Sequence, residues 1–184
     1  MKKSLSLLVL FCIPLIISAQ NIPASDNLLI DKFIQSVTVI EKERLASDTL
    51  QKVFPCTLYK VSLWLTVDKD DSFACGSYTV AIKDGKLIEL QQPSTNKPLD
   101  QMLLILSKTF TVKNETDAKV FEAALDKLYP IIMGSDKEFK EHFKKANKWY
   151  FVRGGLFEDR MGFVLTTDQS SKVTAIEYSM EIKK

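Results

Sequence analysis

Hydrophobic positions along the chain change period several times, and each change marks an element. Leu5 to Ile17 is an apolar run broken by Ser6 and Pro14, preceded by Met1-Lys2-Lys3 and followed by Ser18-Ala19. Positive start, apolar middle and small-residue end are the three parts of a secretory signal peptide. The run is short of the roughly 20 apolar residues a spanning helix needs, so no membrane span is expected. Cys12 sits inside the run behind Leu10-Phe11, where a lipoprotein cysteine would follow small residues and begin the mature chain. The reading is a signal peptide at 1–19 and one domain at 20–184, exported to a periplasmic or extracellular space.

Within that domain, Ile30, Phe33, Ile34, Val37 and Ile40 recur at spacings of three and four and predict a helix from Asp26 to Leu45. Ser47-Asp48 caps a short helical turn to Phe54, which Pro55 stops. Thr57 to Val67 then alternates, with Tyr59, Val61, Leu63, Leu65 and Val67 on one face, as a half-buried strand does. Phe73–Lys83 and Lys86–Gln91 are two more strands joined by Asp84-Gly85, the strongest two-residue hairpin signal in the chain. Gln92 to Pro98 is a polar loop. Leu99 to Leu106 fits a buried helix or a strand, and Phe110 to Val112 is extended. Asn114 or Thr116 caps a helix with the stripe Val120, Phe121, Ala124, Leu125 and Leu128, ended before Pro130. Ser135 with Glu138 is a capping box that predicts a helix to about Ala146 burying Phe139 and Phe143. Strands at Lys148–Arg153, Met161–Thr167 and Lys172–Ile182 close the chain, the last two joined by Asp168 to Ser171.

The fold class is therefore α+β, with helices packed on antiparallel sheet. Its halves, 26–91 and 99–184, each read as helix followed by three strands, two tandem units without residue-level identity. This element order is similar to that of small secreted α+β modules, the PepSY, BamE-like and beta-lactamase-inhibitor-like folds among them. The likeness implies a fold of that kind and no function.

Charge narrows the partners. The chain has 25 Lys+Arg and 23 Asp+Glu, and removing Lys2 and Lys3 with the leader makes the mature chain formally neutral. Net charge thus supplies no global field to draw nucleic acid or anionic lipid. A single histidine excludes zinc-hydrolase signatures that need two and leaves His142 as one candidate general base, read as a half-exposed helix residue bordering Phe139 and Phe143. Asp68-Lys69-Asp70-Asp71-Ser72 lacks the glycine and glutamate of a calcium loop, so neither metal nor other cofactor is expected.

Cys56 and Cys75, the mature cysteines, form either one disulfide or two buried thiols. A hairpin turning near Asp70 places them about nine residues apart along the strand, on the order of 30 Å, against the 7 Å limit for a bridge. Trp149-Tyr150-Phe151 puts Trp149 and Phe151 on one strand face and Tyr150 on the other. Asn114-Glu115-Thr116 matches a glycosylation tripeptide and a helix cap alike, and Asp48-Thr49-Leu50 resembles a bacterial O-glycosylation tripeptide.

Arg153-Gly154-Gly155-Leu156-Phe157-Glu158-Asp159-Arg160 holds two of three arginines in a chain with 22 lysines. In a recognition loop that includes Gly154 and Gly155, Arg153 and Arg160 would serve as bidentate donors and Phe157 as an apolar anchor. The same residues also suit a plain hairpin connection. These signs favour an exported, soluble, non-enzymatic binding or interaction module, an inhibitor or envelope partner-binding protein. The alternatives are a binder of a small apolar ligand, enclosed near Phe121, Phe139 and Trp149, and a hydrolase using His142. N-terminal sequencing or intact mass of the secreted protein is expected to begin at Gln20. Retention of Met1, or acyl mass on Cys12, contradicts this.

Overall fold

The computed structural model describes residues 22–34, 39–68, 71–90, 98–129, 139–154 and 160–183. The expected signal peptide at 1–19, the expected box residues Ser135 and Glu138, Gly155 and Phe157 of the expected recognition loop, and the side chains of Cys75 and Phe139 lie outside the described set. Two four-stranded antiparallel meanders account for the strands. The first runs β1 (Val39–Leu45), β2 (Thr57–Asp68), β3 (Asp71–Lys83) and β4 (Lys86–Leu90); the second runs β5 (Phe139–Lys145), β6 (Lys148–Gly154), β7 (Met161–Thr167) and β8 (Val173–Ser179). Helices α1 (Ala24–Phe33), α2 (Asp48–Val53), α3 (Asp100–Ile105) and α4 (Glu115–Leu128) complete an α+β fold. No helix among the described residues is long and apolar enough to cross a membrane.

Local chemistry sets most boundaries. Ser47 Oγ accepts the Leu50 amide at 3.1 Å and opens α2. Asn114, rather than Thr116, caps α4, accepting the Asp117 amide at 3.1 Å while Asp117 accepts the Lys113 amide at 2.9 Å. Asp84 and Gly85, at φ 52° and 71°, make the β3–β4 turn in the left-handed geometry that matches strand twist. The ambiguous run after Leu99 is helical, α3 burying Met102 and Ile105.

Two expected helices are corrected. The Asp26–Leu45 helix stops at Phe33, and Val39–Leu45 is β1, in register with β2 from Val39↔Trp64 to Leu45↔Leu58. Val39 and Ile40 are β-branched and lose χ1 freedom in a helix, so strand pairing prevails there. The Ser135–Ala146 helix is replaced over its second half by β5, whose His142 is in register with Phe151. Ala146 is exposed at the β5–β6 turn with φ 55°. Each half therefore contributes four strands, not three.

Alternation divides the first sheet's two faces. Leu58, Ala81 and Leu90 point into the main core, while Tyr59, Val61, Val80 and Ile82 meet Ile30 of α1 on the other side. The main core also takes Leu50 and Val53 of α2, Met102 and Ile105 of α3, Phe121 and Leu125 of α4, and Trp149, Phe151, Phe163 and Leu165 of the second sheet. Both sheets thus turn a face to α2, α3 and α4. Behind the second sheet, Val152, Val164 and Ile182 form a smaller cluster.

Cys56 is a buried free thiol. Its neighbour Thr57 is in register with Ile82, while Cys75 lies at the bulge opposite Leu63 and Trp64. That separation is seven residues along β3, about 23 Å at 3.3 Å per residue, beyond disulfide reach. Burial pushes the Cys56 thiol up to about 11, partly opposed by Lys83, which keeps it protonated and unreactive.

At Gly162, φ is 156°, and an added Cβ would stand 1.9 Å from the Phe151 carbonyl oxygen. Backbone would have to move in two paired strands. Gly162→Ala is expected to cost about 2–4 kcal/mol by urea unfolding; a loss below about 0.5 kcal/mol contradicts the close approach.

Candidate functional site

The inner face of β6 carries Trp149, Phe151 and, at the next inward position, Arg153. The first two join the core, so alternation drives the third side chain under α4 as well. A buried guanidinium requires partners, and α4 supplies them from one side, where Glu115, Glu122 and Asp126 recur at helical spacing.

Arg153 is 1% exposed. Its Nη2 lies 2.7 Å from Glu122 Oε1 and 3.2 Å from Asp126 Oδ1, and its Nη1 donates to the Val152 carbonyl at 2.9 Å. The other Glu122 oxygen, Oε2, is 3.1 Å from His142 Nδ1 on β5, and His142 Nε2 is 3.5 Å from Glu115 Oε1. Glu115 also pairs with Lys119 one turn on, at 2.8 Å. That ammonium, and after it the imidazole, holds the Glu115 carboxyl below the usual carboxylate range.

This chain of charges joins α4 to β5 and β6. Glu122 uses both oxygens as a bridge, one to each strand. Both ring nitrogens of His142 face carboxylates, and its described partners include no hydroxyl or thiol, so the ring is built into a brace. The expectation of a helix histidine is corrected to a strand histidine, 17% exposed in its side chain.

Arg160 stands at the other end of the same strand connection. Its Nη2 is 2.6 Å from Glu141 Oε2 on β5, and its carbonyl accepts the Ile182 amide at 2.7 Å. Glu141 is in register with Val152, so this contact crosses the outer face of the sheet. The two arginines expected as outward donors thus do different work: Arg153 is buried against acids, and Arg160 reaches back onto β5. Gly154 ends β6 opposite Phe139. Sequence reading did not find Glu122 and Asp126, since acidic residues on the polar side of an amphipathic helix look solvated.

Elsewhere the expected residues take structural places. Tyr150 lies on the face opposite Trp149 and Phe151 and stacks on Phe143, centroids 4.8 Å apart and planes at 11°. Phe121 meets Phe54, Phe110 and Phe151 at 6.2, 6.0 and 5.7 Å. An open depression of about 220 Å³ lies between β1, α2 and α4, lined by Glu43, Arg44, Leu45, Ala46, Leu50 and Lys127. Among the described residues no group of three or more His, Cys, Asp or Glu is placed to hold a metal ion.

No family model, curated protein or solved structure matches the chain.

The brace separates buried from exposed charge. Arg153→Leu is expected to cost about 3 kcal/mol, since Glu122 and Asp126 lose their cation beneath the helix. Lys119→Ala, which removes an exposed pair, is expected to leave the urea midpoint essentially unchanged. Equal losses in urea unfolding would contradict this division.

Proposed function

We propose that the protein is an exported, non-enzymatic module that binds a protein partner through the β6–β7 connection, as an inhibitor or envelope partner-binding protein does. The leader at 1–19 motivates the export. The observation that carries the binding reading is that both ends of the connection are clamped, by Arg153 onto Glu122 and Asp126 and by Arg160 onto Glu141.

A hairpin that only has to reverse direction needs no such clamps, as Asp84-Gly85 does it with two residues. Anchored ends reduce the ordering cost of a loop when it is bound, which is how a rigid sheet presents a recognition segment. In this reading Arg153 and Arg160 position the loop, and Phe157 with Gly155 makes the contact.

The test is capture from native envelope extract by wild-type protein and by Phe157→Ala, with melting followed in parallel. The reading expects a partner identified by mass spectrometry with wild type, its loss with Phe157→Ala, and near-normal melting. A drop in stability of about 3–5 kcal/mol would instead make Phe157 a core residue, and unaltered capture would remove it from the interface.

A further inference from the structure

We propose that a pole of five lysines at one end of the second sheet attaches the protein peripherally to an anionic lipid bilayer. The pole is assembled from three segments far apart in sequence. Lys144, Lys145 and Lys148 flank the β5–β6 turn, Lys172 ends the β7–β8 turn, and Lys113 precedes α4. Backbone contacts bring these segments together. The Thr167 amide donates to the Asn147 carbonyl at 2.9 Å, and Asn147 Nδ2 returns to the Thr167 carbonyl at 3.2 Å. Thr111 bridges Lys172, and the Val112 amide donates to the Ser171 carbonyl at 2.9 Å.

Four of the five lysines are exposed and Lys148 is half-buried. None forms a salt bridge among the described residues, whereas Lys42, Lys119 and Lys183 elsewhere do. Three carboxylates stand nearby among the described residues: Glu115, which Lys119 and His142 already pair, Asp117 and Asp168. Asp117 is occupied by the Lys113 and Asn114 cap. Asp168 accepts from Ser170 Oγ, Ser170 N and Lys172 N at 2.7, 2.8 and 2.9 Å. Five cations against three anions, one of them already paired with Lys119, leave this end positive among the described residues, and the neutral total expected of the mature chain conceals it.

The arrangement works against folding. Lys145 and Lys148 are directly opposite in the β5–β6 ladder, where like charges destabilise. Lys144 is drawn over the Trp149 ring, 5.5 Å from its centroid, which holds a third cation at the same end of the sheet on its other face. A local rule broken at Lys145 and Lys148, with no carboxylate paired to either among the described residues, marks a surface kept for something outside the molecule.

The chemistry favours lipid over the other polyanions. Lysines are point charges without the planar fork that reads a particular group. They sit on turn tips and not along a groove that would follow a nucleic-acid backbone, and the neighbouring aromatics Trp149 and Phe151 are buried, leaving no platform for bases. A broad, unselective positive end suits a flat field of phosphate headgroups, where each lysine near the surface multiplies partitioning about fivefold.

The experiment is vesicle co-sedimentation of the purified protein at about 0.05 M salt, where a bilayer's field reaches past its headgroups. Vesicles of phosphatidylcholine with about 30% phosphatidylglycerol are expected to bind it, and phosphatidylcholine alone is not. Raising salt to about 0.5 M releases it. The variant Lys145→Gln/Lys148→Gln/Lys172→Gln is expected to lose about 100-fold in partitioning, while Lys52→Gln/Lys86→Gln, away from the pole, retains it. The triple Lys→Arg variant at the same three positions keeps the charge and must bind, which guards against misfolding of the Gln variant. No binding to the anionic vesicles, equal binding to neutral ones, retention by the Gln triple, or binding to heparin without binding to vesicles would each overturn the proposal.

Discussion

α4 is the element to which the other layers are fitted, and Phe121 is the point of fit. Its ring meets Phe54 after α2, Phe110 ahead of α4, and Phe151 on the second sheet, so one side chain touches three separate stretches of chain. Each such aromatic pair adds about 0.5–1.5 kcal/mol beyond the area it removes from water. With Leu50, Val53, Met102 and Leu125 around it, this cluster makes the two sheets share one interior.

The charged brace is a consequence of that fit. Once Phe151 is held against Phe121, the two-residue period of β6 leaves Arg153 no route outward, and α4 must present acids at that height. Glu122 and Asp126 do so. The ion pairs offset a desolvation cost imposed by the geometry, and they tie α4 to β5 and β6 at that height. The β6–β7 connection inherits a rigid starting point from this arrangement.

Much of the fold was legible, and the failures share a cause. Alternation in β2, the short apolar runs of β6 and β7, the Asp84-Gly85 turn and the Asn114 cap all carry their structure in neighbouring residues. The edge strands β1 and β5 do not. Phe139 and Phe143 stand four apart, a spacing that suits one face of a helix and also one face of a strand, since four is close to one helical turn and twice the strand period. Charged residues between them look like a helix's wet side, yet on an edge strand they also discourage pairing with another sheet. What decided the matter was pairing, β1 with β2 and β5 with β6, and not the period of either segment by itself. The brace was hidden for the same reason: Asp126 and Arg153 are 27 residues apart, and only the packing brings them together.

The middle of the chain is fastened to its far end. Pro98 bridges Glu177, and the Leu99 amide donates to the Ile176 carbonyl at 2.8 Å, so the start of α3 is stitched to β8. Lys83, in the first meander, reaches the Leu104 carbonyl at the other end of the same helix at 2.6 Å. A chain emerging from its N-terminus can therefore complete the first meander's hairpins early, but α3 lacks its seat until β8 arrives. Such late closure costs folding speed, because long loops must be ordered before the contact rewards them. It also means that a truncated copy lacking β8 leaves Leu99, Met102 and Ile105 without one wall of their burial site.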